Sequence, residues 1–226
     1  MQESSAAPTS PQVKVWDLLI RFGHWILVAG FAASYLTHEE ADRGLSGTIH
    51  VWAGYAIGVV LLIRIVWGFT GTRYARFKSF LFSPLASFRY LGQLMRRVSP
   101  RYLGHSPAGA AMIFALILSV GGTVGTGVYL LGQEGKGPLA GYVQQVQRPE
   151  RPAAGTFAPG QRPPGGTRVE NPMREIHETF TNIALLLIVL HIAGVAWASF
   201  AHHENLVKSM FTGRKRAGGA ETIPNP

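Results

Sequence analysis

Residues 177–201 read HETFTNIALLLIVLHIAGVAWASFA, a stretch long enough and apolar enough to cross a bilayer. It carries two histidines, His177 and His191, which stand 14 residues apart. In an α-helix this spacing puts both side chains near one face, about 21 Å apart along the axis. The stretch therefore predicts a membrane helix with one potential metal ligand at each of two depths.

Three other apolar runs have the length of about 20 residues that a bilayer requires. The four predicted spans cover roughly residues 15–37, 48–71, 109–131 and 179–201. The chain has 226 residues, of which 47% are hydrophobic and only 15% are charged, a composition that excludes an ordinary soluble domain. We expect an all-α fold, an integral membrane four-helix bundle. The polar leader Met1–Val13 lacks a basic segment followed by a short apolar core, so we expect no cleaved signal peptide.

The positive charge is concentrated in the connector between the second and third spans and in the tail after the fourth. These residues are Arg73, Arg76, Lys78, Arg89, Arg96, Arg97 and Arg101, followed by Lys208, Arg214, Lys215 and Arg216. Basic connectors favour the cytoplasmic side, so both termini and the 72–108 connector are predicted there, with 38–47 and 132–175 on the other side. This topology divides the chain into a cytoplasmic tail (1–14), a transmembrane domain (15–213) and a second cytoplasmic tail (214–226). The net charge of +9 then reflects topology and anionic lipid, not nucleic acid.

Two connectors differ in character. In Pro84–Val98, Leu85, Phe88, Leu91, Leu94 or Met95, and Val98 recur at helical spacing with arginines between them. This pattern predicts an amphipathic helix on the cytoplasmic leaflet, serving either as a membrane-surface connector or as a docking site for a partner. The 133–175 connector holds seven glycines and seven prolines in 43 residues, so we expect it to be largely irregular. It is either an insertion without a role or part of an outer docking surface.

Two more histidines match the depths of the first pair. The first span runs outward, so His24 lies about 20 Å below its outer end, level with His191. The second span runs inward from Thr48, so His50 lies near the outer surface beside His177. The chain has no cysteine, which excludes iron–sulfur ligation and covalent haem attachment. Two neutral imidazoles per iron suit haem b and electron transfer, so the spacing predicts two stacked haems.

Small and cationic residues near these histidines are further candidates for cofactor contacts. Gly54 and Gly58 follow His50 at one and two helical turns, and Gly194 follows His191, which would let a porphyrin approach closely. Arg21, Arg64 and His105 fall near the inner leaflet. For the arginines, contact with haem propionates and snorkelling to the interface both remain open. His105 could cap a helix, contact a propionate or line a quinone pocket, whereas His38, His202 and His203 are expected to be interfacial.

Several strings resemble the bacterial cytochrome b group that includes the b-type cytochrome subunit of nickel–iron hydrogenases and the b-561 type cytochromes. They are RFGHW (21–25), HVWAGY (50–55), RIVWGFTGTRYARF (64–77), GHSPAGAAM (104–112), the His177…His191 pair and HENLVKSMFTG (203–213). The resemblance implies a four-helix bundle in the bacterial inner membrane, two haem b groups and exchange of electrons with quinone. It places the axial ligands at His24, His50, His177 and His191. The pairs it implies, His24 with His191 and His50 with His177, agree with the depths above.

The leading hypothesis is a membrane di-haem cytochrome b, the electron-transfer subunit of an oxidoreductase. It would work between quinone and a periplasmic cytochrome c or hydrogenase-like protein, and it could form a homo-oligomer. A close variant is a stand-alone superoxide/quinone oxidoreductase of the b-561 type. From another class, the histidines could serve a metal transporter or the chain could be a membrane anchor. The chain differs from the family in its long 133–175 connector, which is predicted to lie on the side where an outer partner would dock.

Overall fold

Seven α-helices make up most of the described part of the chain. The structure is a computed structural model, and it describes residues 11–40, 44–146, 171–217 and 222–223. The helices are α1 (Leu18–Leu36), α2 (Gly44–Thr70), α3 (Pro84–Met95), α4 (Pro107–Gln133), α5 (Ala140–Val146), α6 (Pro172–Ala201) and α7 (Leu206–Thr212). Short 3-10 turns occupy His38–Glu40 and Phe77–Phe80.

Four of the described helices, α1, α2, α4 and α6, are long and apolar enough to span a membrane. Large apolar side chains on them, such as Phe22, Leu62 and Leu118, are more than half exposed. In water such surfaces would be costly, and in a bilayer they face lipid. The all-α membrane four-helix fold predicted from the sequence is therefore confirmed.

The helix ends differ from the predicted spans: α2, α4 and α6 begin earlier than predicted, whereas α1 is shorter at both ends. The fourth begins at Pro172, not near residue 179, so His177 and His191 both lie inside α6 as expected. The second begins at Gly44, four residues before Thr48. A hydropathy pattern marks only the lipid-facing part of a helix, whereas backbone hydrogen bonding continues into polar sequence.

The 133–175 connector contains a helix that the sequence did not predict. Within it, α5 (Ala140–Val146) packs onto the end of α4, where a side chain added at Gly132 would lie 3.0 Å from Val143. Val143 is fully buried, which explains how a Gly-rich segment holds a helix. The Gly/Pro-rich residues 147–170 lie outside the described part.

The chain forms two compact units, one of residues up to 117 together with those from 186 onward, and one of residues 118–185. In the first unit α1 and α2 pack closely, because their contacts include small residues. A side chain added at Gly23 would lie 3.3 Å from Val60, and one added at Gly30 would lie 3.0 Å from Ile57. Glycines let helix backbones approach in a membrane, where lipid offers no hydrophobic driving force for association.

Two short ladders join segments that are far apart in sequence. Strand β1 (Gln12–Lys14) pairs antiparallel with β3 (Arg214–Arg216), and β2 (Arg101–Tyr102) pairs parallel with β4 (Thr222–Ile223). Gly213 ends α7 with a φ of 75°, and its carbonyl accepts the backbone N–H of Val15 at 2.8 Å. A side chain there would lie 2.6 Å from the Trp16 carbonyl oxygen, so this turn requires glycine.

Candidate haem-binding sites

His24 and His191 face each other in the first unit. Their ring centres are 6.4 Å apart and their planes are inclined by 54°. Two imidazoles that bind one metal ion, each at about 2 Å, have ring centres roughly 6 Å apart. Within the described residues the buried Nδ1 of His24 has no hydrogen-bond partner. The pair therefore has the spacing that a single iron between two histidines requires.

His50 lies at a different depth, next to α1. Its Nδ1 lies 2.9 Å from the carbonyl oxygen of Ser34 and 3.2 Å from the hydroxyl of the same residue. A carbonyl can only accept, so this nitrogen carries the proton and Nε2 carries the lone pair. Ser34 follows His24 by ten residues on α1. Because His50 contacts Ser34, His50 lies about 15 Å from His24 along the axis of that helix.

His177 has a comparable arrangement in the second unit. Its Nδ1 lies 3.0 Å from Thr126 Oγ1, and that hydroxyl donates its own proton to the Gly122 carbonyl at 2.7 Å. The threonine therefore accepts from His177, which again leaves the lone pair on Nε2. A side chain at Gly127 would approach the His177 ring to 3.1 Å, so glycine leaves room for this orientation.

The same tautomer at His50 and His177 is the one that metal-binding histidines adopt. Such histidines donate the second ring N–H to a protein acceptor, which fixes the ring and increases the basicity of the liganding nitrogen. The Nδ1 hydrogen bonds of His50 and His177 therefore fit a role as iron ligands, and this observation is independent of the spacing of the histidines. The supporting residues, Ser34 and Thr126, were missed in the sequence, although a hydroxyl inside an apolar span is a signal for such a bond.

The glycines beside the histidines border open space. A side chain added at Gly54 or Gly194 would meet no described atom within 4 Å. Gly54 lies one turn from His50, and Gly194 lies one turn from His191. Gly58 is half-buried one further turn along α2. The space at Gly54 and Gly194 agrees with the room that a porphyrin face would need.

The two candidate arginines differ in their contacts. Arg64 lies over the ring of Phe77 at 4.9 Å, and within the described residues its buried Nη1 has no hydrogen-bond partner. Arg21 instead donates from Nε to the Met210 carbonyl at 3.3 Å, which ties α1 to α7. Arg64 therefore has a donor that an anionic group could use, whereas Arg21 has a structural partner.

His105 lies between two aromatic rings, with centres 4.6 Å from Trp16 and 4.4 Å from Phe80. Burial, together with the nearby cations Lys215 and Arg64, lowers the pKa of His105 from 6.5 to about 3. The imidazole is neutral at physiological pH, so it can contact a propionate or a quinone by hydrogen bonding but not by charge.

A buried charged cluster at the same end was not predicted from the sequence. Glu204 accepts from Arg101 Nε at 3.0 Å and Nη2 at 2.6 Å, and also from the backbone N–H of Arg216 at 3.1 Å. Burial opposes the charge of Glu204, but these bonds hold its pKa below the usual value. Lys215 lies beside the pair, and burial lowers its pKa from 10.5 to about 8. Nothing local in the sequence marks this cluster, because its members are up to 115 residues apart.

Comparison with known proteins agrees with this description. A probable Ni/Fe-hydrogenase B-type cytochrome subunit of Bradyrhizobium diazoefficiens is 28% identical to the chain over 151 residues. The alignment covers 56% of this chain and 60% of the relative, so the chain spans about three-fifths of the curated protein it matches. No solved structure matches the chain.

The family model described as prokaryotic cytochrome b561 matches residues 15–213. That range includes the four membrane helices, the four candidate ligand histidines and the two candidate arginines, Arg21 and Arg64. The chain therefore belongs to the prokaryotic cytochrome b561 family, membrane proteins that bind haem b and transfer electrons.

Proposed function

We propose that the chain is a membrane di-haem cytochrome b that transfers electrons between a periplasmic redox partner and the quinone pool. The observation that carries the proposal is the 6.4 Å between the rings of His24 and His191, which suits one iron between them. Haem b with two imidazole ligands supplies an iron that changes oxidation state without an open coordination position. The protein's part is to fix the ligands, their tautomers and the surrounding charges.

The inner pair, His24 and His191, would hold one haem through residues of the first unit. The second haem would take His50 and His177, whose Nδ1 atoms are bonded to Ser34 and Thr126. Two depths on α6, about 21 Å apart by helical rise, support a relay of two centres across the bilayer.

Arg64 would bind a propionate of the inner haem. Val60 lies beside Gly23, so Arg64 stands about one helical turn beyond the level of His24, towards the basic end. There its buried Nη1 has no hydrogen-bond partner among the described residues. A buried guanidinium needs an anion or acceptor, and a carboxylate at this depth would supply one. Arg21 and His105 would flank the same region, with His105 as a neutral hydrogen-bonding group.

The partner is proposed from similarity. The name of the relative includes a Ni/Fe-hydrogenase, so a hydrogenase-like protein or a periplasmic cytochrome c is the partner class we propose. The concentration of basic residues in 72–108 and 208–216 supports a cytoplasmic location for that end and for both termini in the inner membrane. The surface for a periplasmic partner would then lie on the side of α5.

The test is the reduced-minus-oxidised spectrum of the purified chain, with haem quantified per polypeptide. We expect two haem b per chain. The double variant His24→Ala, His191→Ala should lose one haem and keep the other, and His50→Ala, His177→Ala should do the same for the second. His38→Ala is the matched control, because His38 is exposed and lies against the Tyr35 carbonyl, so it should keep both haems.

Other outcomes assign the function differently. A chain without a haem spectrum would overturn the proposal and favour the transporter or anchor class. Retention of both haems in the His24→Ala, His191→Ala variant would overturn the ligand assignment. Quinone reduction by superoxide in the purified chain, with no partner added, would replace the subunit role by the stand-alone oxidoreductase.

A further inference from the structure

Within the described residues of the first unit, one face of helix α3 (Pro84–Met95) packs against neighbouring helices. Tyr90 and Leu94 on that face are each 5% exposed. The Ser87 hydroxyl donates to the Pro107 carbonyl at 3.0 Å, and Trp197 Nε1 donates to the Leu94 carbonyl at 3.1 Å. The inward face is therefore fixed to α4 and α6, which leaves the opposite face to be explained.

The outward face of α3 is apolar, and no other described part of the chain covers it. It consists of Leu85, Phe88, Leu91 and Met95, continued by Val98, and these side chains are between 48% and 74% exposed. Leu94, which the sequence pattern left interchangeable with Met95, points inward instead. An apolar stripe of this width on an otherwise attached helix is typical of a helix at the membrane interface.

A cavity of about 460 Å³ opens beneath this face. Its walls are Phe88 and Leu91 of α3, Ala111 and Phe114 of α4, and further apolar residues of these helices and of 80–82. Ser87 is the one polar side chain in the wall, and its hydroxyl proton is donated to the Pro107 carbonyl. No side chain in the described wall is left to donate a hydrogen bond to a quinone carbonyl, so the lining suits a hydrocarbon chain.

Exposed cations adjoin in sequence the residues that line the cavity. Arg89 adjoins Phe88 on α3 and is exposed, and Lys78 is exposed just before the segment that forms one wall. No acidic residue occurs between Asp42 and Glu134, so no carboxylate on this stretch neutralises these cations. An apolar cavity whose lining residues adjoin exposed cations in sequence, next to a helix with an exposed apolar face, is complementary to an anionic phospholipid.

We propose that the cavity between α3 and α4 binds one acyl chain of an anionic phospholipid, whose phosphate lies beside Arg89 and Lys78. The lipid would fill the space under α3 and cover Phe88 and Leu91, so it would hold the amphipathic helix at the membrane surface. The site involves none of the proposed haem ligands. It therefore goes beyond the electron-transfer role and does not depend on it.

The test measures the phospholipid that stays with the haem-loaded protein after purification in detergent. Nanodiscs of phosphatidylglycerol and phosphatidylcholine in equal parts supply the lipid, and mass spectrometry of the extract gives lipid per haem. We expect about one phosphatidylglycerol per chain in the wild type. Ala111→Phe, which fills the cavity from an exposed position, should lose it. The control Ala29→Phe makes the same change at an exposed site of α1 and should keep it.

A second arm tests the charge. Arg89→Gln should lower the preference for phosphatidylglycerol over phosphatidylcholine by roughly fivefold, because one basic residue near an anionic surface contributes about 1 kcal/mol. Arg174→Gln removes a cation at the start of α6 and should leave the preference unchanged. Unaltered retention in Ala111→Phe, equal retention of both lipids by the wild type, or recovery of quinone in place of phospholipid would overturn the proposal. An unchanged haem spectrum in every variant keeps the result separate from the function proposed above.

Discussion

The substitution Glu204→Gln tests whether the buried cluster at the basic end holds the chain segments around α7 together. Glu204 accepts two bonds from Arg101 and one from the backbone of Arg216, and the side chains of the pair are only 9% and 10% exposed. The amide keeps the shape but removes the charge, which leaves Arg101 and Lys215 as two neighbouring buried cations. Removing one partner of a buried ion pair costs about 3–5 kcal/mol.

For a chain of this size that loss corresponds to a decrease of roughly 10 °C in the unfolding midpoint. The assay is thermal unfolding in detergent, followed by far-ultraviolet circular dichroism at constant lipid and haem content. The double variant Glu204→Gln, Lys215→Met should recover part of the lost stability, because only Arg101 then remains as a buried cation without its carboxylate partner. A decrease of less than about 1 kcal/mol in the single variant would refute the reasoning, since that is the contribution of an exposed pair.

Two further predictions concern Lys215 and the packing of α2. Because burial lowers the pKa of Lys215 from 10.5 to about 8, the unfolded chain binds more protons between these values, so stability should rise with pH across this interval. In Lys215→Met this rise should be absent from unfolding midpoints measured against pH, and a wild-type slope in the variant would contradict the assignment. Gly68→Ala should destabilise by about 1–3 kcal/mol, because the added carbon would overlap the Phe77 ring. Gly92→Ala, at a position on α3 where the added carbon would meet no described atom, should instead stabilise by about 0.5–1 kcal/mol. Urea titration of both variants measures the two effects, and equal effects at the two sites would exclude this explanation.

The membrane helices could be predicted because their signal is local. A run of apolar residues reports directly on transfer into lipid, so all four spans were identified, with errors only at their ends. Helical rise and alternating direction then placed His24 level with His191, and the structure brings these two rings together. Their role as haem ligands stays a prediction, as does that of His50 and His177.

The parts that escaped the sequence depend on contacts between distant residues. Glu204 meets Arg101 across 103 positions, and no periodicity links them. The helix around Val143 forms because that side chain finds a place against Gly132, which composition alone does not show. The hydroxyls of Ser34 and Thr126 were overlooked because a single polar residue in a span scarcely changes its hydropathy, although each orients a histidine.

The ladder between β1 and β3 has a consequence for biosynthesis. Its two strands precede the first span and follow the last, so they can meet only if the chain crosses the membrane an even number of times between them. A chain in which one span failed to insert would carry Lys14 and Arg214 on opposite sides of the bilayer. The ladder, closed by the bond from Val15 to Gly213, can therefore form when all four spans are inserted but not when a single span is missing. The ladder therefore forms only when both termini lie on the same side of the membrane. A chain that lacks one span would leave its terminal strands unpaired and exposed to the cell's proteases.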